Sequence, residues 1–69
     1  MNATPTLTSA EHHDFLADTA RTNANTYRAY LTWSEDPAQR RWAVQMAYAA
    51  DVEADAEAEF AAALREVSA

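Results

Sequence analysis

Residues 51–60 read DVEADAEAEF, with an acid at every second position from Asp51 to Glu59. Strict alternation is the mark of a strand with one wet face. The spacers are mostly Ala, however, and Ala, Asp and Glu are all depleted in strands. On a helical wheel of about 100° per residue the same residues sort differently. Asp51, Asp55 and Glu59 lie four apart on the outer side, Glu57 falls at a flank, and Glu53 falls inside an apolar stripe. The alternation therefore predicts a helix with acids on several sides. Ala and Glu are strong helix formers, which offsets a like-charge repulsion of about 0.2–0.5 kcal/mol per i, i+4 pair. A disordered acidic run is the alternative, since acidic composition alone can leave a segment unfolded.

Working outward from this stretch, nothing breaks the helical pattern between Pro37 and about Glu66. Its start is marked by Ser34-Glu35-Asp36-Pro37-Ala38-Gln39. Asp36 is placed to cap, Pro37 suits the first helical position, and Gln39 holds the capping-box partner site. The residue before a proline resists the helical region, so an earlier helix is expected to stop near Ser34. That helix begins after Thr8-Ser9-Ala10-Glu11, a second capping-box pattern. Residues 1–7 are polar and Thr-rich and read as a flexible arm. The expected fold is all-α: an antiparallel two-helix hairpin with helices over 9–34 and 37–66 in one domain, 8–67, dimerising into a four-helix bundle.

Large apolar residues set the expected core. In the first helix Leu16, Ala20, Asn23, Tyr27, Tyr30 and Leu31 share a face, flanked by Phe15, Thr19, Thr26 and Trp33. In the second, Trp42, Met46, Ala49, Ala56, Phe60, Leu64 and Val67 form a stripe. A hairpin turning near residue 35 brings Tyr30 and Leu31 to Trp42, Tyr27 to Met46, and Leu16 to Ala56 and Phe60. Beside the main stripe run Ala43, Ala47, Ala50, Ala54, Ala58 and Ala61, and near the opposite edge Val44, Tyr48 and Val52. One partner helix does not cover all of these. Ala43, Ala47, Tyr48, Val52 and Ala54 are thus expected to form a face for a second copy or a partner helix. The competing reading makes the alanines helix-forming filler.

Composition narrows the function classes. At 69 residues the chain buries about 60% of its unfolded surface, so help from self-association or a partner is expected. Cys is absent, which removes disulfides and thiolate zinc sites. Gly is absent too, and with it Gly-rich phosphate loops and G-x-S-x-G elbows. The serines stand at helix ends where capping explains them, so no catalytic residues and no enzyme are expected. A net charge of −6, with five bases against eleven acids, disfavours direct nucleic-acid binding and favours a basic partner. No stretch is apolar and long enough for a membrane span, and the N-terminus lacks a signal pattern. A cytoplasmic protein is expected.

Three clusters carry the functional expectations. Glu11, Asp14, Asp18, Asp51, Asp55 and Glu59 form an acidic row that can dock on a basic site of a partner protein. The expected function is a protein–protein interaction module, a regulator or inhibitor, with nucleic-acid mimicry of the phage or mobile-element type as one version. Asn23 and Glu53 are polar residues on apolar stripes and are expected to form a polar core layer that sets register. His12 and His13 lie where the hairpin brings Glu57 and Glu59 near, and the alternative function is a metal-binding bundle built on them. Adjacent histidines point about 100° apart on a helix, unlike an i, i+4 ligand pair, so no metal or cofactor is assigned.

Overall fold

The computed structural model describes residues 8–68, with side chains through Val67. The arm expected over residues 1–7 lies outside the described residues. Those described form two helices and no strand: α1, Ser9–Trp33, and α2, Pro37–Ser68, packed as a hairpin. α1 ends at Trp33 rather than at residue 34, and α2 runs past residue 66 to Ser68.

Both expected caps at the helix starts are present. The Thr8 hydroxyl accepts from the Glu11 backbone N–H at 3.1 Å, and the Glu11 carboxylate accepts from the Thr8 N–H at 3.0 Å. These bonds satisfy two donors that a helix start otherwise leaves orphaned. Asp36 caps α2, accepting from the Ala38 N–H at 3.1 Å, with Pro37 behind it. Gln39 departs from its expected capping-box role: its side-chain oxygen accepts the Ser34 hydroxyl instead. Ser34 is buried and closes α1 by donating its N–H to the Tyr30 carbonyl at 2.8 Å.

α1 has no basic residue in its last turn, where the helix dipole favours one. Arg40 of α2 supplies it across the turn. Its guanidinium donates to the carbonyls of Leu31 at 2.7 Å and Ser34 at 3.0 Å. The three-residue connection is therefore tied down from both sides, which fixes the antiparallel register.

The seam between the helices is made of alanine, which corrects the expected core. Buried on α1 are Ala17, Ala20 and Ala24, and on α2 Ala43, Ala47, Ala50, Ala54 and Ala61. Ala43 and Ala54 are 0% exposed, whereas Trp42 is 43% and Phe60 55% exposed. Ala49, Ala56 and Val67 of the expected stripe are also exposed, and among the described residues no large side chain is fully buried. The physical reason is distance. Interaxial separation follows the size of the residues at the contact, and methyl groups let two helices approach closely. Large side chains then cannot fit on the seam and lie along its flanks. Ala43, Ala47 and Ala54 face α1, so they are not an outward face for another helix. Tyr48 and Val52 are exposed.

Candidate functional site

The two flanks of the seam differ in chemistry. On one flank, ion pairs cross between the helices. Arg28 meets Asp51 at 2.7 Å, Arg21 meets Asp55 at 3.1 Å and Asp51 at 3.6 Å, and Arg65 meets Asp14. Asn25 accepts a further bond from Arg28 at 2.6 Å. Exposed pairs of this kind add little stability singly, and a ladder of them fixes which residues stand opposite one another.

This ladder changes the reading of the acidic row. Asp14, Asp51 and Asp55 are neutralised within the chain, and Glu11 is engaged in the α1 cap. Asp18 and Glu59 have no ion pair among the described residues. The row is thus a scaffold for the hairpin over much of its length rather than a continuous free surface.

The other flank is apolar and aromatic. Tyr27 and Tyr30 both stand edge-on to Trp42, with centroids 5.4 and 5.6 Å away, and Tyr30 also packs on Trp33 at 4.9 Å. The expected meeting of Tyr30 and Trp42 is found, and Tyr27 meets Trp42 as well. At the open end the ring of His13 packs on Phe60 at 4.5 Å and its Nδ1 hydrogen-bonds Glu57. His13 and Glu57 are brought together as the sequence predicts. Among the described residues, however, no group of three or more His, Asp or Glu side chains could hold a metal ion.

Asn23 and Glu53 are both exposed, so they form no buried polar layer. The apolar stripes on which they lie are flanks and not the seam, and the polar groups stay in water. A concavity of about 380 Å³ at the open end is lined by Thr8, Ser9, Ala10, Glu11, Leu64 and Arg65. Thr8 and Glu11 are engaged in the cap, and Arg65 is held by Asp14. No helix among the described residues is long and apolar enough to cross a membrane.

Two carboxyls are held below their ordinary range. For Asp14 the main cause is the hydrogen bond from Arg65, and for Glu11 it is the Thr8 backbone N–H followed by the Thr8 hydroxyl. A carboxyl whose folded pKa is depressed adds stability above its unfolded pKa and loses it as pH falls through the folded one. Asp14→Asn should therefore melt below the wild type at pH 7. That gap should narrow below about pH 4 and close once Asp14 is protonated in both states. Melts followed by circular dichroism between pH 7 and 2.5 check this, and a constant gap would contradict it.

The sequence offered one unread signal for the seam: the 4-3-4 spacing of Ala43, Ala47, Ala50 and Ala54, matched by 3-4 in Ala17, Ala20 and Ala24. Comparison of the chain with protein-family models, with curated proteins and with solved structures gives no match.

Proposed function

We propose that the chain is a small protein-interaction module that docks through the outer side of α2 on a basic surface of another protein. The observation that carries this reading is the inversion of side-chain size: alanine fills the interior, while Tyr48 is 72% exposed and Val44 and Val52 are about half exposed beside it. A contiguous strip of this kind on the outside of a soluble helix is the usual mark of a contact surface.

Charge supports the sign of the partner. Asp18, Glu35, Glu53, Glu59 and Glu66 have no ion pair among the described residues, whereas among those residues Arg41 is the one arginine that meets neither an acid nor a carbonyl. The surplus is negative, and it favours encounter with a positive surface. Mimicry of a nucleic-acid backbone is the weaker version, because Asp14, Asp51 and Asp55 carry their own counter-ions. The metal-binding alternative has less support, since among the described residues no group of three or more His, Asp or Glu side chains could hold a metal ion.

The test is capture from host extract on immobilised wild-type protein and on the Tyr48→Ala, Val52→Asp double variant. A protein should bind at about 0.05 M salt, elute towards about 0.5 M, and be lost with the double variant. Equal retention by both proteins would overturn the assignment of the surface, and retention indifferent to salt would remove the basic partner.

A further inference from the structure

The aromatic flank is a different surface from the one assigned above. We propose that this flank, with Trp42, Met46, Ala49, Ala56 and Phe60 along α2, is the contact surface for a second copy of the chain, two hairpins stacking as a four-helix bundle.

Area is the first support. The paired part of the hairpin is as long as α1, whose 25 residues span about 38 Å, and two helices side by side are about 20 Å wide. The flank thus offers roughly 700 Å², close to the ~800 Å² per partner of a stable standard-size interface. The alanine seam gains only about 0.8 kcal/mol per buried methyl, and Trp42 and Phe60, 43% and 55% exposed, keep apolar area free for such a contact.

Charge is the second. No arginine stands on this flank, and of its two acids, Glu57 already meets His13. Most of the acids that no arginine balances stand elsewhere, Glu11, Asp18, Glu35, Asp36, Glu59 and Glu66 among them. Depletion of charge with enrichment in aromatics is what distinguishes the centre of an interface from ordinary surface.

Register is the third. A two-fold axis across the hairpin at the level of Asp51 sets Trp42 opposite Phe60 of the second copy, Met46 opposite Ala56, and Ala49 opposite Glu53. Large side chains then meet small ones along the middle of α2. On α1 the same axis sets Tyr27 opposite Leu16 of the second copy and leaves Asn23 near the axis. Glu53 is the one misfit, a carboxylate brought within about a turn of its own symmetry mate.

Sedimentation equilibrium at about 50 µM, above the micromolar Kd expected at worst for this area, should give twice the mass of one chain. Ala49→Glu and Ala56→Glu change exposed positions, and each should weaken association at least tenfold with helicity retained. Glu53→Leu should tighten it about tenfold, and decides the matter if either glutamate variant unfolds. A monomeric wild type would overturn the proposal, as would a dimer indifferent to all three substitutions. Tyr48→Ala should leave the mass unchanged, which keeps this surface distinguishable from the docking strip.

Discussion

Ala54→Leu is expected to be the most damaging single substitution on the seam, lowering the melting temperature by at least 10 °C. Ala54 is 0% exposed, and the buried residues that α1 brings to the seam, Ala17, Ala20 and Ala24, are all alanines. Overpacking a filled contact costs about 1–3 kcal/mol, and here the upper end applies because both helices would have to separate along their length. Each kcal/mol lowers the melting temperature by roughly 4–8 °C in a domain of this size. Ala63→Leu, at an exposed position on the same helix, should stay within about 0.5 kcal/mol of the wild type. Thermal melts by circular dichroism read both. A wild-type melt for Ala54→Leu would mean that Trp42, Met46 and Phe60 form the seam after all, and the description of the fold would be wrong.

This prediction also shows where sequence and structure part. The elements were legible because their signals are local: Thr8 and Glu11 form their capping box, Asp36 and Pro37 open α2, and the turn falls where the pre-proline rule puts it. The approximate register was legible from the turn position alone, and the meetings of Tyr30 with Trp42 and of His13 with Glu57 follow from it.

The seam was not legible by hydrophobicity. A wheel weighted by apolar size points at Trp42 and Phe60, whereas close packing is decided by which residues are small on both helices at once. Alanine speaks with two voices, as a helix former and as a small contact residue, and only its 4-3 spacing on both helices separates them. Turning the seam by roughly a quarter of a circumference on each helix moves Asn23 and Glu53 from core to water. It also moves Ala43, Ala47 and Ala54 from an imagined outer face to the interior.

The ion pairs were missed for a related reason. The acidic row reads as free when Arg21 and Arg28 are set on the outer face of the first helix without being paired with acids across the hairpin. Once the seam is known, Arg21, Arg28 and Arg65 fall opposite Asp55, Asp51 and Asp14 on one flank. Arg40 is drawn to the carbonyl end of α1. An acidic total therefore coexists with a locally neutral ladder, and the surplus carboxylates have no ion pair among the described residues.

Truncating Trp42 tests the other half of the energetics. Its indole is a little over half covered and stands edge-on to both Tyr27 and Tyr30. Each such aromatic pair contributes about 0.5–1.5 kcal/mol beyond burial of area, so Trp42→Ala should cost about 2–3 kcal/mol. Trp33 is the built-in control: it is 63% exposed, has one ring contact among the described residues, with Tyr30, and on truncation should cost about 1 kcal/mol or less. Trp42→Phe keeps one edge-on ring and should recover at least half of the loss. Urea titrations give the three free energies, and in Trp33→Phe protein the remaining Trp42 emission should shift to the red as the hairpin opens. Equal costs for Trp42→Ala and Trp33→Ala would mean that the turn-end cluster does not hold the helices together. The alanine seam and the ion-pair ladder would then have to do so alone, and the cost of Ala54→Leu would have to rise accordingly.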